Sequence, residues 1–156
     1  MSSQPKSKPS APSDLIQGLT IALANTYALT VKTHGAHWNV VGSEFFGIHA
    51  AFEKQYTDLF EAADQLAERL RVLGSVTPGG IAELAKLSTL PPAPSSRQAL
   101  ELVKVIYDDR VAVAAQLGQT LEFAKKAEDE ATADLLITHI EEHEKTAWML
   151  LATLGK

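Results

Sequence analysis

Four long segments of this chain carry apolar residues at the three- and four-residue spacing of an amphipathic α-helix. A helix with one apolar stripe must bury that stripe against another element, and four such helices in one chain do so by packing into a bundle. The helical segments are predicted at Ser13 or Asp14 to about Asn39, about Ser43 to Leu73, Ser95 to about Lys126, and Asp129 through Leu154.

A stretch rich in proline and glycine, from Gly74 to Ser95, joins the second helical segment to the third. Its prolines exclude one continuous helix, although a short helix of roughly Gly80 to Leu87 fits inside it. Four long helices with one long connection in the middle predict an all-α four-helix bundle with a single crossover. Helix N-caps are expected at Ser43, at Ser95 within a capping box with Gln98, and at Asp129.

The first thirteen residues differ in composition from the rest of the chain, with several prolines and serines and the lysines Lys6 and Lys8. They offer few apolar side chains to bury, so we expect residues 1–13 to form a disordered tail and residues 14–156 to form the bundle domain. The tail lacks the apolar stretch of a signal peptide, and no apolar run in the chain is long enough to span a membrane. We therefore expect a cytoplasmic protein that does not enter a membrane.

Two features of the composition limit the chemistry of the chain. It has no cysteine, which excludes disulfides, thiolate metal sites and cysteine nucleophiles and leaves carboxylates and imidazoles as the metal ligands. Its formal net charge is −5, which argues against a body that binds nucleic acid and is compatible with the uptake of cations.

The second helical segment carries two stripes. On a helical wheel with His49 at zero, Glu53 falls near ~40°, Asp64 near ~60° and Glu68 near ~100°, all within about a quarter-turn. Its apolar residues cluster on a different face, at about −60° to −100°. This apolar cluster comprises Ile48, Phe52, Leu59, Leu66 and Leu70, while Phe46 and Phe60 are interleaved with the polar stripe. The pattern indicates a helix buried on two sides, once in its own bundle and once against a partner.

The spacing within the polar stripe decides how it can bind metal. The pairs His49/Glu53 and Asp64/Glu68 both have the i, i+4 spacing at which two side chains converge on one ion. The two pairs are ~16 Å apart along the helix axis, too far for one ion to join both within one chain. Two copies of the helix, antiparallel about a two-fold axis, would bring the first pair of one chain to the second pair of the other. His37, just before the turn into this helix, can add a second imidazole.

This set of two imidazoles and three carboxylates suits Fe²⁺. A di-iron centre inside one bundle usually takes a glutamate from each of two helices and Glu-x-x-His from the other two. The chain has no Glu-x-x-His, and its first helical segment has no glutamate, so an intersubunit site is favoured over an intrachain one. The alternative is a polar helix face whose charges form incidental ion pairs, which wheel geometry alone leaves open.

Several motifs resemble the signature of the Dps family, the mini-ferritins of the ferritin-like superfamily. The resemblance covers about Leu15 to Gly155, nearly the whole chain. The matching residues are His37-Trp38-Asn39-Val40, Gly42, Phe45, His49, Glu53, the Asp-x-x-Ala-Glu-Arg segment Asp64 to Arg69, Asp134-Leu135-Leu136 and Lys145 to Trp148.

The resemblance implies a ferritin-like bundle that assembles into a hollow dodecamer, with iron-oxidising (ferroxidase) sites at its two-fold interfaces and hydrogen peroxide as the commonly preferred oxidant. His37 and His49 would bind iron from one subunit, and Asp64 and Glu68 would bind it from the neighbour. Glu53 stands where the family usually has aspartate. Its longer side chain keeps the negative charge, but the resemblance does not decide where the second iron ion binds or whether that position is occupied.

Other residues have a functional and a structural interpretation. Trp38 resembles the family tryptophan beside the metal site, thought to intercept oxidising equivalents, and its alternative role is packing. His34, three residues before His37, is a candidate for supporting the site indirectly. His139 and His143 have ligand spacing, but His143 lies on the apolar stripe of the fourth helix, which favours a hydrogen-bonded core histidine.

Acidic residues from Glu128 to Asp134 crowd the start of the fourth helix. Negative charge is favourable at any helix N-terminus, which is the structural interpretation. By resemblance to the family, acidic residues here line three-fold pores that admit Fe²⁺, and Asp129 and Asp134 are the candidates.

Together these observations predict a ferroxidase that stores Fe³⁺ as mineral and protects DNA from oxidative damage by consuming peroxide. The alternative is a DNA-binding, nucleoid-compacting protein with iron chemistry secondary. The only sequence feature that supports this alternative is the pair Lys6 and Lys8. One tail would bind DNA weakly, but the many tails around one shell would bind it together. A metal-free helical scaffold is a third hypothesis.

Overall fold

The computed structural model describes residues 11–156, and the helices in that range confirm the predicted all-α bundle. The long connection between the second and third long helices contains one short helix, as predicted. The helices are α1 (Ser13–Asn39), α2 (Phe45–Val72), α3 (Ile81–Leu87), α4 (Ala99–Lys126) and α5 (Glu130–Thr153).

The long helices pack in pairs, α1 with α2 and α4 with α5, and α1 also packs along α4. The loop between α1 and α2 pairs with the start of α4: Val41 N donates to Arg97 O over 2.9 Å, and Ala99 N donates to Val41 O over 3.2 Å. Helix α4 therefore begins at the end of the bundle where α2 begins. The crossover that contains α3 must return along the length of the bundle to reach that end.

Apolar side chains from the four long helices fill the centre of the bundle. Burying one large aliphatic or aromatic side chain stabilises a fold by about 1.5–3 kcal/mol, so the interior dominates the stability of the domain. The predicted inward stripes are confirmed by the buried Leu15, Leu19, Ala22, Leu29, Ile48, Phe52, Leu59, Leu66, Leu70, Val103, Ile106, Val113, Leu117, Leu136 and Ala147, with Leu121, Ile140 and Leu154 partly buried.

Buried polar side chains of α1 fasten the crossover to the bundle. Asn25 Oδ1 accepts a hydrogen bond from Thr89 N over 2.8 Å. Lys32 Nζ donates to Pro91 O over 2.6 Å and forms an ion pair with Asp109 of α4, also over 2.6 Å. The side chains of Lys32 and Asp109 are only 5% and 4% exposed, so this ion pair joins α1, the crossover and α4 inside the protein.

Helices α1 and α4 come into close contact at Gly18. A Cβ atom at this position would lie 2.8 Å from Thr120 Oγ1, closer than two such atoms normally approach. Gln116 Nε2 also donates to Gly18 O over 3.0 Å. A residue without a side chain is therefore required where these two helices meet.

Two of the predicted N-caps are wrong and one is confirmed. The residue that precedes α2 is Glu44, and the residue that precedes α4 is Gln98. Neither side chain makes a capping hydrogen bond. The caps predicted at Ser43 and Ser95 therefore do not form. The pairing of Val41 with the backbone around Gln98 keeps that segment extended, which delays the start of α4. Asp129 does cap α5, because its side chain accepts a hydrogen bond from Thr132 N.

Residues 1–10 of the predicted disordered tail, residues 1–13, lie outside the described residues, and α1 begins at the last residue of that tail, Ser13. None of the helices in residues 11–156 has the length and the continuous apolar character of a membrane-spanning segment.

Candidate metal centre

The two predicted imidazole ligands lie on either side of the loop between α1 and α2. His37 is in the last turn of α1 and His49 is in the second turn of α2. Gly42, between them, has a φ of +123°, a backbone conformation that side chains disfavour. This turn folds α2 back along α1 and brings the two rings face to face, with 3.7 Å between their centroids.

The backbone holds both rings in a defined orientation. His37 Nδ1 lies 2.8 Å from His49 O, and His49 Nδ1 lies 2.8 Å from His37 O. A carbonyl oxygen only accepts, so each Nδ1 must carry the proton and donate it. In a neutral ring with this tautomer, the lone pair that can bind a metal is on Nε2. Each histidine therefore fixes the ligand atom of the other.

Aromatic rings surround the imidazole pair. Phe45 stacks on His49 with 4.9 Å between centroids, and Tyr56 meets His37 edge-on at 5.3 Å. His34 lies beyond Tyr56, at 4.1 Å from that ring. Sequence reasoning missed Tyr56, although its position seven residues after His49 places it on the same face of α2.

Trp38 and His34 lie at the outer side of this cluster. The Trp38 ring is 4.0 Å from His34, and 66% of the residue is exposed. The ring of His34 is 6.2 Å from that of His37, so His34 is a neighbour of the site, as the hypothesis of an indirect role requires. In a single chain Trp38 is not packed into the core.

The three predicted carboxylates, Glu53, Asp64 and Glu68, all lie exposed on α2. Glu53 is one turn after His49 and therefore on the same side of the helix. Asp64 and Glu68 are three to four turns further along. Within residues 11–156, no group of three or more histidines and carboxylates is arranged so that it could hold a metal ion. A single chain thus brings His37 and His49 together but keeps Asp64 and Glu68 apart from them.

Large apolar side chains near the polar face of α2 are exposed in the single chain. Phe46 is 85% exposed and Phe60 is 60% exposed. A separate apolar groove of about 890 Å³ is formed by α1, α3, the crossover and α4, with Val31, Trp38 and Ile81 in its wall. Exposed apolar side chains that cluster on a surface are typical of a protein–protein interface.

The histidine pair of α5 has a different environment. Both His139 and His143 are 3% exposed, and Arg110 Nη1 lies 3.4 Å from His143 Nδ1. Burial, followed by the charges of Arg110 and His139, holds the pKa of His143 well below its ordinary range. Because arginine can only donate, His143 Nδ1 must accept, which confirms a hydrogen-bonded core histidine.

Arg110, which sequence reasoning missed, lies in the interior of the bundle. It also donates to Gln55 Oε1 of α2 over 3.2 Å. Burial lowers the pKa of Arg110 to about 10, so it remains charged at neutral pH. A permanent positive charge beside His143 opposes the binding of a metal cation there.

The two candidate pore residues, Asp129 and Asp134, differ in whether their carboxylates are accessible to a cation. Arg69 Nη2 donates to Asp129 Oδ1 over 2.8 Å and to Oδ2 over 3.0 Å, and Thr132 donates to the same carboxylate. Burial acts to raise the pKa of Asp129, but the hydrogen bonds from Thr132 and Arg69 outweigh it and the pKa is lowered. Asp134 is exposed on the first turns of α5. Of the two carboxylates, that of Asp134 is the one accessible to a cation from solvent.

Comparison with known proteins adds family relationships to this geometry. The model of the ferritin-like domain family matches residues 16–156. A DNA protection during starvation protein from Brevibacillus brevis is 36% identical over 85% of this chain and 89% of its own. The crystal structure of Dps from Staphylococcus aureus is 29% identical, with a TM-score of 0.89 over 94% of this chain and 98% of that one. A Dps structure from Vibrio cholerae O1, described as a member of a broad superfamily of ferritin-like diiron-carboxylate proteins, is 30% identical, with a TM-score of 0.88 over 96% of this chain and 99% of that one.

Proposed function

Because this chain belongs to the Dps family of ferritin-like proteins, we propose that it is a ferroxidase that stores iron and thereby protects DNA. In this proposal Fe²⁺ is oxidised by hydrogen peroxide at sites divided between two subunits, and Fe³⁺ accumulates as mineral inside a hollow dodecamer. The structure from Vibrio cholerae is described as a diiron-carboxylate protein, and the relative from Brevibacillus brevis is named for DNA protection. The observation that carries the proposal for this chain is the orientation of two imidazoles.

The imidazoles of His37 and His49 are preorganised for metal binding. Their reciprocal hydrogen bonds fix the tautomer, and the 3.7 Å stacking fixes the planes of the rings. A ligand that is already oriented loses little conformational entropy when the metal binds. Each Nδ1–H bond to a carbonyl also makes Nε2 a better donor to the metal. Neutral imidazole nitrogen is a suitable ligand for Fe²⁺.

The carboxylates supply the negative charge that favours the oxidised ion. Glu53 extends the imidazole pair by one turn of α2, whereas Asp64 and Glu68 form a second pair ~16 Å further along the axis. All three are exposed and therefore accessible to a partner chain. Anionic oxygen binds Fe³⁺ more strongly than neutral nitrogen does, so these ligands lower the free energy of the product ion relative to Fe²⁺.

A two-fold axis between antiparallel copies of α2 would complete the site. It would place Asp64 and Glu68 of one chain opposite His37 and His49 of the other, and would generate two sites for each interface. The exposed Phe46 and Phe60 lie among the polar residues on this face of α2 and would be covered by the same contact. The interface thus buries apolar surface and completes the ligand set at once.

The proposed reaction conserves atoms and electrons. Two Fe²⁺ ions each give one electron to one molecule of hydrogen peroxide and become Fe³⁺. The O–O bond breaks, and its two oxygen atoms take up two hydrogen ions from solution and leave as two molecules of water. Because both electrons come from iron within one site, no hydroxyl radical is released. Removing Fe²⁺ and peroxide together is the proposed basis of DNA protection.

Glu53 distinguishes this chain from the usual family pattern, which has aspartate at that position. Its additional methylene group carries the carboxylate further from the backbone of α2. We propose that Glu53 helps to hold the second iron ion at a shifted position. The exposed Asp134 at the start of α5 is proposed to attract Fe²⁺ to the pores of the shell.

Matched pairs of substitutions test the assignment of the site to α2. Asp64→Asn with Glu68→Gln removes two negative charges at nearly constant shape, so we expect a shell that assembles but oxidises Fe²⁺ slowly with peroxide. His139→Gln with His143→Gln changes a pair of the same i, i+4 spacing on α5. We expect that control to lower thermal stability and to leave the rate per assembled shell nearly unchanged. A control that loses oxidation while the carboxylate variant keeps it would place the site on the wrong helix.

A further inference from the structure

The imidazole of His37 is stacked on one face only, whereas that of His49 is stacked on both. The ring of His49 has His37 on one face, at 3.7 Å, and Phe45 on the other, at 4.9 Å. His37 has His49 on one face only. The second aromatic neighbour of His37 on α2 is Tyr56, which meets it edge-on at 5.3 Å with 70° between the planes.

Tyr56 is itself held in place. It is half-buried on α2, two turns after His49, and its ring stacks on His34 of α1 at 4.1 Å with 26° between the planes. His34 in turn contacts Trp38 at 4.0 Å. Residues of α1 and α2 thus form one series of rings that begins at the exposed Trp38 and ends at the imidazole pair.

A histidine ring that is hydrogen-bonded through one nitrogen can still rock through small angles about its Cα–Cβ and Cβ–Cγ bonds unless its sides are blocked. The bond from His37 Nδ1 to His49 O fixes the position of one nitrogen. The stacked ring of His49 limits this motion on one side, and the edge-on ring of Tyr56 limits it on another. If Tyr56 is removed, the hydrogen bond and the stacking on His49 remain, but we expect the direction of His37 Nε2 to be less narrowly defined.

We propose that Tyr56 is a positioning residue for His37: its ring, supported by His34, keeps His37 Nε2 directed at the metal. This inference rests on the proposed function, because it takes His37 as a ligand. It assigns the role to the aromatic ring of Tyr56 and not to its hydroxyl group. Hydrogen-bonded outer partners of metal-binding histidines contribute about 10–100-fold to metal affinity, and we expect a ring contact that orients the same nitrogen to act at the lower end of that range.

The test is the affinity of the assembled protein for Co²⁺, which reports ligand position without depending on turnover. Tyr56→Leu removes the flat ring and should weaken Co²⁺ binding about ten-fold. Tyr56→Phe keeps the ring and should stay within about two-fold of the unchanged protein. Tyr107→Leu, at another half-buried tyrosine on α4, is the matched control and should leave Co²⁺ affinity unchanged.

Two further variants separate the possible failures. His37→Ala should abolish tight Co²⁺ binding; if it does not, the proposed site and this inference both fall. If His37→Ala loses Co²⁺ while Tyr56→Leu retains it, the inference alone is overturned. Equal losses from Tyr56→Leu and Tyr56→Phe would assign the role to the hydroxyl group and also overturn it. His34→Leu removes the support of Tyr56 and should weaken binding in the same direction, which keeps the test decisive if Tyr56→Leu does not assemble.

Discussion

The buried ion pair between Lys32 and Asp109 gives a quantitative test of how the bundle is held together. Replacing Lys32 by methionine keeps most of the volume of the side chain but removes its charge. Asp109, whose side chain is 4% exposed, then loses its counter-ion, and Pro91 O loses its donor. An uncompensated charge in the interior is far less favourable than either a pair or an apolar side chain.

The expected loss can be worked out from the burial of the pair. Removing one partner of a buried pair destabilises a protein by about 3–5 kcal/mol. For a domain of this size, about 1 kcal/mol changes Tm by roughly 2–4 °C, so Lys32→Met should lower Tm by roughly 6–20 °C. The double variant Lys32→Met with Asp109→Leu removes both charges and should recover most of that loss.

The control is an ion pair of the same type on the surface. Lys104 and Asp108 of α4 are 50% and 55% exposed, and exposed pairs contribute about 0–1 kcal/mol. Lys104→Met should therefore leave Tm almost unchanged. Thermal unfolding at one protein concentration measures all three variants. Equal values of Tm for Lys32→Met and Lys104→Met would refute the reasoning.

The pH dependence of the Lys32→Met effect has a definite sign. Burial already raises the pKa of Asp109, while Lys32 opposes that effect. Without Lys32, Asp109 in the folded protein takes up a proton more readily than in the unfolded chain. Stability relative to the unchanged protein should therefore recover as the pH falls below neutral and decline as it rises.

Three further predictions concern other parts of the chain. Gly18→Ala should lower the free energy of unfolding by about 1–3 kcal/mol because its methyl group meets Thr120, and Gly18→Ala with Thr120→Ala should recover part of that loss in thermal unfolding. The unchanged protein should lose stability as the pH falls below about 6.5, because the pKa of buried His143 is lower in the folded protein than in the unfolded chain. In His143→Gln the free energy of unfolding should fall less steeply over this pH range, and an equally steep fall would contradict the prediction. DNA binding should be weak and salt-sensitive and should disappear when residues 1–13 are removed, whereas tight binding that survives the removal in a mobility-shift assay would favour the DNA-compacting alternative.

Much of the fold could be predicted because it depends on local periodicity. The stripes of α2, with Phe52 and Leu66 on one face and Glu53 on another, follow from helix geometry alone. The starts of α2 and α4 could not be predicted in the same way. The segment around Gln98 is held by backbone hydrogen bonds to Val41, far away in sequence, and those bonds prevail over the local capping preference of Ser95.

The candidate site shows the same division between local and distant effects. The spacing of His49 and Glu53 identifies two ligands on one face of α2. The mutual hydrogen bonds of His37 and His49 depend on how the loop at Gly42 folds back, which spacing does not encode. Arg110 beside His143 was missed because its partner lies on a different helix.

The central claim is that two chains share one metal site, and mixed shells test it most directly. One variant lacks His37 and His49, and the other lacks Asp64 and Glu68, so each alone should oxidise Fe²⁺ only slowly. Where the two variants meet across a two-fold axis, one of the two sites draws every ligand from an unchanged half. Shells assembled from equal amounts should therefore regain about a quarter of the peroxide-driven Fe²⁺ oxidation of the unchanged protein. No recovery in shells shown by native mass spectrometry to contain both variants would contradict a site shared between chains.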